Sequence, residues 1–414
     1  MNKLAVVGTP IAHSLSPVIF NHINQSNNID SHYTRLCGSS FYDIIDLVKK
    51  LNITAFNITS PYKSLAYKVS ENQHQNAQKL KLANFLYYKN EWRAYNTDSY
   101  AVSEIIKNNN IRNSSKVLIL GSGAAAYTAY KKLKSMKFDN ITVAKRNFLN
   151  SSDYIRIIEL NRIKTFKNFD ILINTLPENE YITAPMIDNP ELTIIDAIYH
   201  KPYLKAAECK YISGLEWLAY QAIPFIELLY KTTVNFETVL SLLQDAKPKK
   251  SIVLIGFMAA GKSSIGQDLA RKLKMNFIDT DKLIEKSEGK SIADIFYDHG
   301  ENHFRELEKN MILNLKPENN SIIALGGGAL NCAEIKTHLK QNYFVVYLYN
   351  DFETLKNRIL EDLNSDRPLS NSENLKKLYD QRQDEYFNAS DLVIYNRHFS
   401  ETLNTLSNEI RRII

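Results

Sequence analysis

Cysteine is scarce in this chain of 414 residues, and the three cysteines, Cys37, Cys209 and Cys332, are far apart and form no Cys-x-x-Cys pair. We therefore predict reduced thiols in a cytoplasmic protein. Long apolar runs are also missing, since no stretch approaches the ~18 residues that a membrane helix needs. Near the N-terminus, the sequence GTP at 8–10 interrupts a short apolar run before it could form the core of a signal peptide.

Neither sign of charge dominates, because 51 Lys and Arg stand against 45 Asp and Glu, a formal net charge of +6. The basic residues are spread along the chain and do not cluster beside aromatic residues. This favours small anionic ligands over nucleic acid and gives no sign of a membrane partner. No segment has the low hydrophobicity and high net charge of a disordered tail. The length allows about two to four folded domains, and the oligomeric state stays open.

What the sequence does contain is an alternation of apolar strand patterns with helical patterns, which predicts α/β domains with parallel sheets. The segment LLQDAKPKKSI at 242–252 breaks this alternation and is the clearest domain boundary. Its short basic run could be a nucleic-acid patch, but a solvated linker suits so short a run better. Candidate strands lie at 4–8, 117–120, 170–174, 251–255, 322–325 and 343–349.

After the candidate strand at 251–255, the sequence GFMAAGKS at 256–263 matches the phosphate-loop pattern G-x-x-x-x-G-K-[ST]. A helical pattern follows, so backbone N–H groups and the positive end of the helix can bind nucleotide phosphates. We expect Lys262 to reach the terminal phosphates and Ser263 to bind Mg²⁺; the alternative is a glycine-rich turn that matches by chance. The ATP contacts expected from this loop are Ala259, Ala260, Gly261, Lys262, Ser263 and Ser264.

Further motifs follow the phosphate loop in the order FIDTDKLIEKSEGKSIADIFYDHGENHFRELE, IIALGGGAL and DRPLS. With them, residues 251–414 resemble shikimate kinase. The resemblance implies that Asp281 binds the ring hydroxyls of shikimate and orients or deprotonates the attacking one, that Asp279 lies near Mg²⁺, and that Arg367 closes over ATP. The other shikimate contacts that it implies are Arg305, braced by Glu308, Gly327 and Arg382, with both guanidinium groups able to bind the carboxylate.

A second glycine-rich turn, GSGAAA at 121–126, follows the candidate strand at 117–120 and matches the dinucleotide pattern G-x-G-x-x-A. About twenty residues further on, an NAD-binding fold would offer an acidic residue to the ribose. This sequence instead has Lys145 and Arg146, which suit the 2′-phosphate of NADP. Taken alone, the turn could be a generic tight turn and the basic pair an exposed loop.

The motifs VVGTPIAHSLSP, NITSPYK, YNTDS, INTLP, DAIY and SGLEWLAYQA occur in the order found in shikimate dehydrogenases, and residues 1–245 resemble that family. The resemblance implies a catalytic pair in which Lys63 supplies a proton as hydride arrives and Asp98 positions it; a surface salt bridge is the alternative. The implied substrate contacts are Ser14, Ser16, Thr59, Lys63, Asn84, Asp98, Tyr199 and Gln221. The implied NADP(H) contacts are Gly121, Ser122, Gly123, Ala124, Ala125, Lys145, Arg146 and Gly214.

Several positions depart from the family patterns. Ala259 and Ala124 stand where glycine is usual, and Phe85 stands where threonine is usual. We expect the added methyl group of Ala259 to be tolerated. The acidic segment EDLNSD before Arg367 is expected to weaken ATP binding or alter lid closure, and Trp217, near the nicotinamide side, to alter the fit of the cofactor.

The two resemblances together predict a bifunctional enzyme. NADPH would reduce 3-dehydroshikimate to shikimate, and MgATP would phosphorylate shikimate to shikimate 3-phosphate. The alternative is an active kinase fused to a degraded, non-catalytic dehydrogenase-like module or metabolite sensor. The expected domains are an α/β substrate domain at 1–99, a Rossmann NADP domain at 100–213, returning helices at 214–245, a linker at 246–250 and a P-loop kinase domain with a parallel sheet at 251–414.

Overall fold

The structure is a computed structural model of the chain, and it forms two compact units. The first unit comprises 1–17, 27–54 and 247–414, and the second comprises 18–26 and 55–246. The second unit ends within the segment predicted as a domain boundary, and the finer domain limits stay a prediction. The described residues are 2–146, 154–176, 182–183, 186–205, 208–249, 251–316, 320–361 and 372–414.

Strands and helices alternate along most of the first unit, and the second unit also contains runs of consecutive strands. The strands are β1 Asn2–Val7, β2 Ser31–Cys37, β3 Ile53–Ile58, β4 Asn72–Gln73, β5 Phe85–Tyr88, β6 Trp92–Tyr95, β7 Val117–Leu120, β8 Ile141–Lys145, β9 Ile157–Glu159, β10 Ile171–Asn174, β11 Thr193–Asp196, β12 Lys210–Ile212, β13 Ile252–Ile255, β14 Asn276–Asp279, β15 Ser321–Ala324, β16 Phe344–Tyr349 and β17 Leu392–Tyr395. The helices are α1 Ser16–Ser26, α2 Phe41–Lys50, α3 Lys63–Val69, α4 Gln75–Leu80, α5 Asp98–Asn108, α6 Ala124–Ser135, α7 Gly214–Tyr230, α8 Phe236–Gln244, α9 Lys262–Leu273, α10 Thr280–Glu288, α11 Ile292–Leu313, α12 Ala333–Asn342, α13 Phe352–Glu361, α14 Ser372–Ala389 and α15 Phe399–Ile410.

The first unit is built on a parallel sheet with the strand order β14-β15-β13-β16-β17-β2-β1. Strands β13, β15, β16 and β17 are buried along their whole length. Continuous apolar strands of this kind are typical of a parallel sheet that is covered on both faces. Within the sheet β17 pairs with β2, with Val393 opposite Leu36, so residues from the beginning and the end of the chain share one sheet.

The second unit contains a parallel sheet with the order β12-β11-β10-β7-β8-β9. Helices α5, α6 and α7 contribute to the hydrophobic core on one face, and a separate core fills the other face. The strand order reverses between β7 and β10, which is where doubly wound sheets bind nucleotides. The predicted Rossmann fold is therefore confirmed.

Strands β3, β5, β6 and β4 form a smaller group, which belongs to the second unit from residue 55 onward. The pairs β3–β5 and β5–β6 are antiparallel, and β4 and β6 are parallel. Among the described residues, no helix combines the length and the apolar composition that crossing a membrane requires.

Candidate active sites

The phosphate loop connects β13 to α9 in the first unit. Gly256 and Gly261 have φ angles of +149° and +83°, in the region that favours glycine. A Cβ at Gly256 would lie 2.9 Å from the carbonyl oxygen of Leu348. Nζ of Lys262 donates to the carbonyl oxygens of Gly256 and Phe257 at 2.9 and 3.1 Å. The ammonium group therefore lies against the backbone of the phosphate loop.

Ala259 takes a left-handed backbone conformation in this loop, with φ at +59°. A residue with a Cβ is strained there by roughly 1–2 kcal/mol. Two side chains from elsewhere in the unit stabilise the loop: Arg358 donates to the carbonyl oxygen of Ala259 at 3.3 Å and Asn396 to that of Ala260 at 2.8 Å. The departure at Ala259 therefore matters through its backbone conformation. Ser264 is exposed in the first turn of α9.

Ser263 and Asp279 bring two oxygen ligands together at the start of α9. The hydroxyl of Ser263 donates to Oδ2 of Asp279 at 2.6 Å. The other oxygen of Asp279 accepts a hydrogen bond from the backbone N–H of Lys282 at 3.3 Å. Mg²⁺ takes hydroxyl and carboxylate oxygens and completes its octahedron with water and phosphate oxygens. The pair therefore fits the predicted magnesium contact.

The GGG sequence at 326–328 follows β15 and is closely surrounded by ionisable side chains. A Cβ at Gly326 would lie 2.5 Å from Oε1 of Glu308 and 2.7 Å from Oδ1 of Asp281. A Cβ at Gly328 would lie 2.5 and 2.6 Å from the two terminal nitrogens of Arg305. The turn therefore lets side chains from α10 and α11 approach one another across bare backbone.

The carboxyl groups of Asp281 and Glu308 are held away from water. Burial raises the pKa of both, while the cationic Lys262 and Arg305 oppose the rise at Asp281, and Arg305 opposes it at Glu308. Within the described part of the chain, Oδ1 of Asp281 and Oε1 of Glu308 have no hydrogen-bond partner. A carboxyl group with a raised pKa and an available oxygen is suited to accept a proton from a substrate hydroxyl.

Arg305 is fixed by two carboxylates on its own helix. Its NH1 donates to Glu308 at 2.7 Å, and its Nε and NH2 donate to Glu301 at 3.2 and 3.0 Å. The predicted contact between Glu308 and Arg305 is thus present. This geometry holds the planar guanidinium group in one orientation, as bidentate recognition of a substrate carboxylate requires.

Arg382 reaches the same glycine turn from α14. Its NH1 lies 3.9 Å from the Cβ position of Gly327, and its Nε is buried with no hydrogen-bond partner among the described residues. Tyr386, one turn further along the helix, donates to the carbonyl oxygen of Gly327 at 2.6 Å. The structure therefore brings the predicted shikimate contacts Asp281, Arg305, Gly327 and Arg382 to one turn. Arg367, the predicted lid arginine, lies outside the described residues.

In the second unit, Lys63 and Asp98 form a buried ion pair. Nζ of Lys63 donates to Oδ2 of Asp98 at 2.6 Å, and the side chains are 11% and 3% exposed. Lys63 begins α3 and Asp98 begins α5, so the carboxylate lies at the positive end of a helix, which stabilises its charge. The pair is therefore buried, unlike an ordinary surface salt bridge.

A hydrogen-bond network fixes the backbone immediately before Asp98. Nδ2 of Asn84 donates to Oγ1 of Thr97 at 3.2 Å and to Oε1 of Gln221 at 3.3 Å. Thr97 completes the network, since its N–H donates to Asn84 at 3.0 Å and its hydroxyl donates to the carbonyl oxygen of Gln221 at 2.8 Å. Thr97 was not among the predicted contacts, although it lies within the motif YNTDS that indicates the site.

A cavity of about 650 Å³ joins the lysine to the dinucleotide turn. Its wall includes Lys63, the turn residues 122–124 and Lys145. Tyr127 and Tyr154, which were not predicted from the sequence, also line it, and the ammonium group of Lys145 lies 5.9 Å from the ring centroid of Tyr154. The cavity therefore combines a proton donor, a dinucleotide turn and a buried positive charge.

Two glycines are required for backbone packing around this turn. Gly121 has φ at +106°, and a Cβ there would lie 2.5 Å from Oγ1 of Thr175. A Cβ at Gly214 would lie 2.7 Å from the carbonyl carbon of Ile198 and 2.8 Å from the backbone nitrogen of Tyr199. The approach of Gly214 to the nucleotide stays a prediction.

The remaining predicted contacts are distributed over both units. In the first unit, Ser14 and Ser16 are buried, with their hydroxyl oxygens 3.4 Å apart. In the second unit, Thr59 and Tyr199 are half-buried after β3 and β11, Ala125 lies in the first turn of α6, and Arg146 is exposed after β8. Their roles stay predictions.

Two departures from the family patterns belong to hydrophobic packing. Phe85 is buried on β5 with its ring centroid 4.2 Å from that of Phe225. Trp217 is 6% exposed in the core formed by α5, α6, α7 and the sheet, and it is not among the residues that line the cavity. Its expected effect on the fit of the cofactor therefore finds no support in its position.

Known proteins match both ends of the chain. Residues 258–412 match the family model of shikimate kinase, and residues 6–86 match that of the shikimate dehydrogenase substrate binding domain. A shikimate kinase of Persephonella marina is 40% identical over 142 residues, which are 34% of this chain and 85% of the relative. Both predicted resemblances are thereby confirmed.

Solved structures of shikimate dehydrogenases match 59% of the chain. Shikimate dehydrogenase 1 of Peptoclostridium difficile has 26% identity and a TM-score of 0.50, with 59% of this chain and 96% of that chain covered. The shikimate 5-dehydrogenase of Thermus thermophilus, solved with NADP(H) and shikimate, has 21% identity and a TM-score of 0.51, with 59% and 99% covered. At that identity the second structure supports the fold alone.

Proposed function

The chain belongs to the shikimate kinase family through residues 258–412, and because residues 6–86 match the dehydrogenase substrate-binding domain, we propose that it is a bifunctional enzyme of the shikimate pathway. It reduces 3-dehydroshikimate to shikimate with NADPH and phosphorylates shikimate to shikimate 3-phosphate with MgATP. The observation that carries the dehydrogenase assignment is Lys63, paired at 2.6 Å with buried Asp98 and lining one cavity with the dinucleotide turn.

In the reduction, NADPH supplies the hydride when it is bound. Nζ of Lys63 gives a proton to the substrate oxygen as negative charge develops there, which is the part of the reaction that a positioned acid accelerates. Asp98 keeps the ammonium group in place through its 2.6 Å hydrogen bond and binds a ring hydroxyl. In the reverse direction Lys63 acts as the base. Lys145 and Arg146 bind the 2′-phosphate of the cofactor.

The other dehydrogenase contacts follow from the resemblance. The network of Asn84 and Gln221, completed by Thr97, fixes the start of α5, and we assign the first two to substrate hydroxyls. The remaining substrate contacts are Ser14, Ser16, Thr59 and Tyr199, and the remaining cofactor contacts are residues 121–125 and Gly214.

In the phosphorylation, MgATP supplies the transferred group when it is bound. Asp281 accepts the proton of the attacking hydroxyl, for which its raised pKa and available oxygen are suited. Arg305 and Arg382 bind the carboxylate of shikimate beside Gly327. Lys262 neutralises charge on the transferring phosphoryl group, and Ser263 and Asp279 hold the metal. Arg367 acts as the lid arginine by resemblance alone.

The test supplies the purified chain with 3-dehydroshikimate, NADPH and MgATP. NADPH consumption and shikimate 3-phosphate are both expected, and omission of ATP should leave shikimate as the product. In the matched control Lys262→Ala, phosphorylation is lost while NADPH consumption continues. An active kinase that consumes no NADPH would support the non-catalytic dehydrogenase-like module instead.

The three cysteines are free thiols, which supports the proposed location in the cytoplasm.

A further inference from the structure

The segment 8–16 connects β1 to α1 and carries Ser14 and Ser16, two of the proposed substrate contacts. Its backbone is bound by a residue from the other end of the chain. The N–H groups of Ile11 and Ala12 donate to Oε2 of Glu409 at 2.6 and 2.7 Å. Glu409 lies on α15, the last helix of the kinase region, and its exposed fraction is 0%.

A second contact to the same segment comes from a side chain that the kinase region orients. Arg35 on β2 donates through Nε and NH2 to the carbonyl oxygen of Ser14, at 2.9 and 2.6 Å. Its NH1 donates to the carbonyl oxygen of Asp391 at 2.9 Å, and its guanidinium group lies 5.4 Å from the ring centroid of Phe344. Residues of the kinase region therefore orient Arg35, and Arg35 in turn binds the backbone of Ser14, a proposed contact to the substrate.

A fully buried carboxylate is costly unless hydrogen bonds compensate it. Oε2 of Glu409 accepts two backbone hydrogen bonds, and Oε1 has no partner among the described residues. The hydrogen bonds that compensate Glu409 therefore come from the segment 8–16, and the charges of Arg35 and Arg412 add to them. Conversely, without Glu409 the two buried N–H groups would have to turn toward other acceptors, which would move Ser14, only two residues beyond Ala12.

We propose that Glu409 is a positioning residue for the dehydrogenase, so that the last helix of the kinase orders the segment that binds the dehydrogenase substrate. The inference rests on the proposed function. It makes the kinase region a structural requirement for substrate binding in the dehydrogenase, which two independent enzymes joined by a linker would not show.

The experiment compares full-length Glu409→Leu, which removes the acceptor, with Glu409→Gln, which keeps a carbonyl oxygen at the same reach. Glu401→Leu is the matched control, because Glu401 is exposed on the same helix. In Glu409→Leu, the KM for shikimate in the dehydrogenase reaction should rise on the order of tenfold, since two buried donors lose their acceptor. The KM for NADP and the kinase constants should stay within about twofold of wild type, a split that a general loss of fold would not produce. Glu409→Gln should restore binding to within about threefold.

An unchanged KM for shikimate in folded Glu409→Leu would overturn the inference, as would an equal rise in Glu401→Leu. If Glu409→Leu fails to fold, as judged by its kinase activity and thermal melting, Glu409→Asp decides. Its shorter side chain withdraws the carboxylate from Ile11 and Ala12, so the same selective rise is expected and its absence overturns the inference. A wild-type chain that oxidises no shikimate would refute the proposed function itself, and this inference with it.

Discussion

The substitution Gly328→Ala should weaken shikimate binding indirectly, by displacing Arg305. The φ of Gly328 is −105°, a value open to any residue, so Gly328→Ala introduces no backbone strain. Its Cβ would meet the guanidinium group of Arg305 at 2.5–2.7 Å, whereas ordinary contacts are about 3.5–4 Å. Arg305 must therefore withdraw by roughly 1 Å, which takes its guanidinium group out of the position proposed to bind the substrate carboxylate.

The size of the effect follows from what Arg305 is proposed to bind. A hydrogen bond between charged groups contributes about 1.5–3 kcal/mol, so its loss corresponds to about a 10- to 150-fold fall in kcat/KM for shikimate. The free energy of unfolding should change by only about 1 kcal/mol, because the clash is with the end of a long side chain and the smaller freedom of the unfolded chain offsets it in part.

The assay is ADP formation at varied shikimate, with the dehydrogenase rate of the same preparation as the control for folding. Arg305→Ala defines the largest loss that displacement of the guanidinium group can cause. The double variant should lose no more than Arg305→Ala, since the methyl group then has room, and this non-additivity is diagnostic of a shared mechanism. A wild-type KM in Gly328→Ala, or fully additive losses, would refute the reasoning.

Three further predictions concern other parts of the chain. Lys63→Gln should lower kcat for NADPH-dependent reduction about 10²- to 10⁴-fold while ADP formation from shikimate is unchanged; equal NADPH oxidation by both proteins would contradict the assigned role. Ala259→Gly should raise the free energy of unfolding by about 0.5–1 kcal/mol, because relief of the left-handed strain exceeds the entropy cost of glycine, and chemical denaturation measures it. Burial raises the pKa of Glu409 from 4.5 to about 7. The free energy of unfolding should therefore fall by about 3 kcal/mol between pH 4.5 and pH 7, because the folded protein has to ionise a buried carboxyl group. Glu409→Gln has no such group and should not show this fall. Burial also lowers the pKa of His32 from 6.5 to about 4, which makes the free energy of unfolding rise with pH over nearly the same range. Wild type and Glu409→Gln must therefore be compared at each pH. Identical pH dependence in the two proteins would argue against the raised pKa of Glu409.

The elements that could be predicted from the sequence are those with short-range causes. The strands expected at 117–120, 251–255 and 343–349 correspond to β7, β13 and β16 within one residue at each end. The phosphate loop was predictable because Gly256, Lys262 and the helix that begins at Lys262 lie close together in the sequence. Each of these features is specified by neighbours along the chain, where periodicity and turn chemistry are informative.

Features that depend on distant partners were not predictable. Thr97 bonds to Gln221 across 124 positions, and no local pattern distinguishes it from other threonines. The carbonyl oxygens of Ala259 and Ala260 accept hydrogen bonds from Arg358 and Asn396 respectively, which lie about 100 or more positions away. For Glu409 a weak signal does exist, because it falls on the helix face that also buries Thr402 and Leu406, where a charged residue needs a buried partner.

The shared sheet changes which experiments can isolate the two activities. The predicted linker suggests cutting the chain near 247 to separate the two enzymes. In the first unit, however, β17 of the kinase region pairs with β2, and Arg35 and Glu409 bind across that same junction. If the two parts were expressed separately, β2 and β17 would become unpaired edge strands, which promote aggregation. Arg35 and Glu409 would also lose hydrogen-bond partners that lie on the other side of the cut. Inactivity of a separated dehydrogenase half would therefore report the loss of its sheet and say nothing about its chemistry. Single substitutions in the intact chain, such as those at Lys63 and Lys262, separate the activities without this ambiguity.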